Sequence, residues 1–182
     1  MSVRALLRAA TAGEHGRVDA LFSRFDLTRC DEYGRFLLAQ AAAFVPIEAL
    51  LDAAGAADVV ADWPQRRRAA LLAADLAALG LAAPPAMNGL PELSSPSRIL
   101  GAVYVLEGSR LGGAVLTRTV PGDFPNSFLG AGAPSGSWRK LLEMLDKNLY
   151  AAESIDAAIH SARKVFMIFQ AAAEEHSRTR AA

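Results

Sequence analysis

Residues 101–113 read GAVYVLEGSRLGG. The apolar spacing around them predicts one helix from about Ser97 to Val120. That helix would contain Gly101, Gly108, Gly112 and Gly113, although each glycine in a helix interior costs roughly 1 kcal/mol relative to alanine. In a chain where 38 of 182 residues are alanine, the smaller residue calls for a reason. Gly108 and Gly112, at i and i+4, could bare the backbone for a close helix-helix contact. Alternatively the backbone lies against a flat ligand, and the adjacent Gly112 and Gly113 let the helix bend over it.

Outward from this segment the pattern stays helical. Leu7, Val18, Phe22 and Phe25 recur at helical spacing between Ser2 and Phe25, with Thr11 and His15 on the same stripe, so the first helix should turn a histidine inward. Thr28 followed by Asp31 resembles a capping box for a second helix carrying Tyr33, Leu37, Gln40, Phe44 and Ile47, which Pro46 should kink or shorten. Asp62-Trp63-Pro64 announces a third helix, with Arg66, Arg67 and Arg68 as a solvated face and Gly80 just past its end. The breakers between 82 and 96, and again between Pro121 and Ser137, predict loops. Ser137 should cap a helix from Trp138, and a last helix from about Ser154 to Arg178 should bury Ile159, Phe166 and Phe169. No period-2 run or internal repeat occurs, so residues 1–182 are expected to form one all-α domain.

Composition narrows the function. Nineteen Lys and Arg against nineteen Asp and Glu leave no basic footprint, which excludes nucleic acid as the expected partner. The single cysteine, Cys30, permits neither an internal disulfide nor a thiolate zinc cluster. Arg4, Arg8, Glu14 and Arg17 interrupt the first apolar residues, so no secretory signal is expected. The longest apolar stretches, such as Leu76 to Met87, are broken by Gly80, Pro84 and Pro85. A soluble, cytoplasmic protein without a membrane span is therefore expected.

His15 is the leading candidate for chemistry. Asp19, one turn on, can hold one imidazole nitrogen and leave the other for a metal; a hydrogen-bonded core histidine is the plainer alternative. Arg8 lies two turns before His15, about 20° away around the axis, so a cation would sit beside whatever His15 binds. Paired Glu-x-x-His ligands, a His-Glu-x-x-His helix, a phosphate loop and a nucleophile elbow are all absent. His160 and His176 should face solvent.

Ala10-Thr11-x-x-Glu14-His15 and the run Gly101 to Gly113 together resemble the haem oxygenases, most closely the bacterial branch that supplies biliverdin to bacteriophytochromes. The likeness extends over most of the chain in helix order and length. It implies an all-α haem-oxygenase-like bundle with haem, both cofactor and substrate, held between a proximal and a kinked distal helix. His15 would be the iron ligand through Nε2, and Asp19 the partner of its other nitrogen. Gly108, Gly112 and Gly113 would form the distal surface that admits oxygen, with Arg8 near a propionate and Phe166 packed beside the haem. Many members have aspartate directly after the first distal glycine. Here Ser109 stands there, and Ser109 or Arg110, through water, is the candidate for proton delivery. Arg139 and Lys140 approximate the further basic contacts near Trp138. The implied reaction is oxidative cleavage of haem to biliverdin, carbon monoxide and ferrous iron, with oxygen and electrons from a ferredoxin or reductase. The alternative is a non-catalytic haem- or bilin-binding protein on the same fold.

Overall fold

The computed structural model describes residues 2–178. Ser2 caps the first helix, α1 (Val3–Phe22), by accepting the Ala5 N–H at 3.3 Å. The second, α2 (Cys30–Ala53), starts without the predicted capping box. Thr28 spends its hydroxyl on Asp26 Oδ1 at 2.6 Å, and Asp31 and Glu32 in the first turn complement the helix dipole instead. Pro46 lies inside α2 without ending it.

The predicted third helix is broken into α3 (Ala56–Val59), α4 (Trp63–Arg66) and α5 (Ala69–Ala78). The expectation of a solvated arginine face fails with it, because Arg66 and Arg68 are 1% and 2% exposed and only Arg67, at 52%, meets solvent. Opposite orientations for neighbouring arginines require the extended backbone found at Arg67, which interrupts the helix. Glu48 of α2 then caps α5, accepting the Arg68 and Ala69 N–H groups at 2.7 and 3.0 Å. At the far end Gly80 takes the left-handed conformation as expected, with Leu81 N–H on Leu76 O and Gly80 N–H on Ala77 O.

After the 82–95 loop, α6 (Pro96–Leu116) begins at Ser95, which accepts the Arg98 N–H, and ends in turns before Val120. A short α7 (Ser127–Gly130) lies within the second predicted loop, its first N–H groups held by the buried Asp75 carboxylate. The next helix, α8 (Ser137–Asn148), has Gly136 rather than Ser137 at its cap, and α9 (Ala152–Arg178) follows. His160 is exposed as expected, whereas His176 is half-buried, which lowers its imidazole pKa.

No strand occurs among the described residues. The long α9 is the platform of this all-α, single-domain bundle, packing along α6, α1 and α2, while α5 lies on α2 and α8 bridges α1 and α6. Although the apolar runs read from the sequence are broken, α2 and α6 are each long and apolar enough to cross a membrane by length and composition. Both are nevertheless mostly buried inside the bundle, which explains their apolarity.

One of the four α6 glycines serves packing. A Cβ on Gly101 would fall within 2.9 Å of Ala158 Cα and closer still to its carbonyl oxygen, so α6 and α9 meet there backbone to backbone. Gly101→Ala should lower unfolding free energy by about 1–3 kcal/mol as the helices are forced apart. A denaturant midpoint equal to the parent's would disprove the close contact.

Candidate functional site

Gly108 and Gly112 behave differently from Gly101. A Cβ at either would meet nothing within 4 Å, and one at Gly113 would touch only Leu129 at 3.4 Å. No helix fills these gaps, so the choice between packing and an open ligand face resolves by position. Gly101 is the packing glycine, and the other three line a cavity of about 710 Å³ between α1 and α6. That volume falls in the usual range for small-molecule sites, about 300–1,000 Å³.

The facing wall is α1. Arg4, Arg8, Thr11, His15 and Asp19 all line the cavity, as their three- and four-residue spacing requires. His15 Nδ1 lies 3.0 Å from Asp19 Oδ2, and no described residue bonds Nε2. The stripe runs from the core at Leu7 and Thr11 out onto the cavity, so His15 lies at the cavity wall, its side chain 60% exposed, and not in the core. From α9, Phe166 meets the imidazole edge to face, with ring centroids 5.6 Å apart.

One end of the cavity is basic. Arg4 lies 5.9 Å from the centre of the Trp138 ring, which itself tilts against Tyr104 at 5.8 Å. Burial raises the Tyr104 phenol pKa, and the charges of Arg4 and Arg8 oppose that shift. Arg139 and Lys140 do not line the cavity; Arg139 points outward toward Glu143 at 3.7 Å.

On the α6 wall, Ser109 donates to Leu106 O at 2.7 Å and accepts from Arg68 Nη2 at 3.0 Å. Arg110 is not where the sequence reading puts it. It does not line the cavity, and it is buried with its guanidinium on Glu107, Arg66 O and the Ala131 and Gly132 carbonyls. One position along a helix turns a side chain by about 100°, enough to carry Arg110 off the face that Ser109 occupies. Sequence reasoning also missed Arg4 and Arg68. Arg4 was legible, because it stands four residues before Arg8 on the His15 face. Arg68 was hidden in an arginine triplet that looked solvated.

No protein-family model matches the chain. A curated protein of Xanthomonas campestris pv. campestris (strain 8004), described as heme oxygenase, is 33% identical over 113 residues, 59% of this chain and 67% of that protein. This chain belongs to the haem oxygenase family. A crystal structure of NO- and CO-bound heme oxygenase from Neisseria meningitidis superimposes with a TM-score of 0.82 over 97% of this chain and 92% of that one, at 22% identity. That likeness bears on the fold, and the helical bundle described above is a haem oxygenase fold. The family is one of enzymes, which supports catalysis in general terms.

As in any long helix, filling an open glycine should help the bare scaffold. Gly108→Ala and Gly112→Ala should each raise the stability of the ligand-free protein, by up to about 1 kcal/mol, opposite in sign to Gly101→Ala. Calorimetric melting that showed a loss at either position would mean the wall is packed after all.

Proposed function

We propose that this haem oxygenase cleaves haem oxidatively to biliverdin, carbon monoxide and ferrous iron, using oxygen and electrons from a separate ferredoxin or reductase. The observation that carries this reading is the opposition, across one cavity, of an imidazole with a free Nε2 and a helix face stripped of side chains. Among the described residues no group of three or more His, Cys, Asp or Glu forms a metal cage, so His15 can offer one bond to a metal that brings its other ligands with it. A porphyrin does so, and haem as substrate supplies the iron at which oxygen is activated.

The chain's own residues then divide the work. Asp19 fixes the His15 tautomer by accepting from Nδ1, which directs Nε2 to iron. Arg8, with Arg4, offers charge-assisted hydrogen bonds to the propionates and so fixes the rotation of the ring. Phe166 supplies an apolar contact beside the ligand histidine. Gly108, Gly112 and Gly113 let the macrocycle approach α6 while leaving room for a small gas. Ser109 orients a water for proton delivery, a role that Arg110 cannot share from its buried position. The resemblance of the Gly101 to Gly113 run supports placing the chain in the branch whose biliverdin goes to a bacteriophytochrome.

One observation favours a non-catalytic haem or bilin carrier. The only hydrogen of the Ser109 hydroxyl is already spent on Leu106 O, so Ser109 offers no direct acid. A single assay separates the two readings. Haemin added to the purified protein should give a histidine-ligated Soret band that decays, with reductant and oxygen, to a biliverdin band; binding with no decay would establish the carrier. His15→Ala should weaken haemin binding by about tenfold or more and change the axial-ligand spectrum. An unaltered spectrum would move the ligand elsewhere.

A further inference from the structure

Three arginines are buried around the back of the α6 wall, and they are not equally compensated. Arg66 and Arg110 share Glu107, at 2.8 and 3.2 Å, and Arg66 also grips Asp62. Arg68 has no such partner: among the described residues no carboxylate lies within ion-pairing distance of its guanidinium. Its Nη2 bonds two neutral oxygens, Leu106 O at 2.8 Å and Ser109 Oγ at 3.0 Å, and its buried Nε has no acceptor. The Phe44 and Phe128 rings lie 4.8 and 4.9 Å away, a favourable but weak substitute for a counter-ion.

We propose that Arg68 is a positioning residue that makes the glycine wall favour negative charge, orienting Ser109 by a hydrogen bond and supplying an unneutralised cation one hydroxyl away from the cavity. The inference rests on the haem-binding reading and adds a selectivity to it: of two small ligands held on that side of the cavity, an anion is stabilised over a neutral one. A serine hydroxyl has one hydrogen and two acceptor sites. Leu106 O takes the hydrogen and Arg68 takes one acceptor site, so a cavity molecule meets the remaining acceptor. A water bound there must donate to Ser109, and its second hydrogen is left for an anion beyond it. In a low-dielectric wall each bond of that chain polarises the next.

Two carboxylates, Glu107 and Glu48, favour the charge of Arg68 from a distance, and neither pairs with it. Glu107 is held by two other arginines, and Glu48 is committed to the Arg68 and Ala69 N–H groups with Arg67 outside it at 3.9 Å. Burial, with the repulsion of Arg110 second, brings the Arg68 pKa down to about 9, which still leaves it protonated near neutrality. A cation kept buried without a counter-ion costs stability, and a ligand that arrives with negative charge offsets that cost.

The test is ligand affinity in the ferric haemin complex at fixed pH and ionic strength, with azide as the anion and nitric oxide as the neutral ligand. Arg68→Met should weaken azide by about tenfold while leaving nitric oxide within about twofold, and Arg68→Lys should recover part of the loss. Ser109→Ala, which removes the relay but keeps the charge, should lose azide affinity to a smaller degree. The melting temperature of ligand-free Arg68→Met should equal or exceed the parent's, since an apolar chain of similar length replaces an unpaired charge. Unchanged azide affinity, or equal losses for azide and nitric oxide, would overturn the proposal. Should Arg68→Met fail to fold, Ser109→Ala decides by the same comparison. A parent protein that binds no haemin would overturn the functional reading and this inference with it, whereas a parent that binds haemin without the azide selectivity overturns this inference alone.

Discussion

The backbone contact between α6 and α9 at Gly101 and Ala158 is the constraint on which the rest of the site depends. With no side chain between them, the two helices are held at a fixed separation on the upstream side of the glycine wall. The same α9 carries α1: Arg163 donates to Ala10 O at 2.7 and 3.0 Å, and Gln170 to Glu14 O at 3.3 Å. Both walls of the cavity are therefore referenced to one helix. The 710 Å³ between them is a consequence of α1 and α6 each being fastened to α9, with no side chains from Gly108 and Gly112 to fill the space.

Behind the wall the structure spends buried charge where apolar residues would have been less costly. Arg110 and Arg66 share Glu107 and reach the carbonyls of Ala131, Gly132 and Ser137, so one carboxylate on α6 organises the segment leading into α8. That segment brings Trp138 to the cavity. Networks of this type are a poor source of stability, but a glycine-rich helix has few side chains with which to fix its neighbours. Directional bonds from Arg66 and Arg110 supply what packing at Gly108, Gly112 and Gly113 cannot.

The fold was legible in the sequence because helical periodicity is a local signal and most of the helical residues lie in four long helices, α1, α2, α6 and α9. Gly80 was readable as a helix end for the same reason: only backbone freedom mattered there, and the φ of 69° bears it out. Thr28 and Ser137 were misread because several neighbouring residues could cap, and the choice between them depends on what lies nearby in space. The arginine triplet failed more instructively. Exposure is the usual fate of Arg, and nothing local says that Glu107, 41 residues from Arg66, will receive one of three consecutive guanidinium groups. The face shared by His15, Asp19 and Arg8 could be read from spacing, and the motif drew attention to Gly108 and Gly112. Arg110 could not be assigned to the right face without knowing where α4 would pass.

The tie between α1 and α9 also sets an order of assembly. Glu14 O and Gln170 are 156 residues apart in the chain, and such a closure is among the most non-local contacts the fold makes. A ribosome making this protein completes α6 and its glycines long before α9 exists. Until α9 emerges, α1 and α6 are joined only through α8, and the cavity lacks the wall that Phe166 and Phe169 supply, so a nascent chain cannot yet possess the complete cavity. The cavity is consequently a property that arrives with α9, and any product of premature termination before α9 would carry the glycine motif without the complete cavity around it.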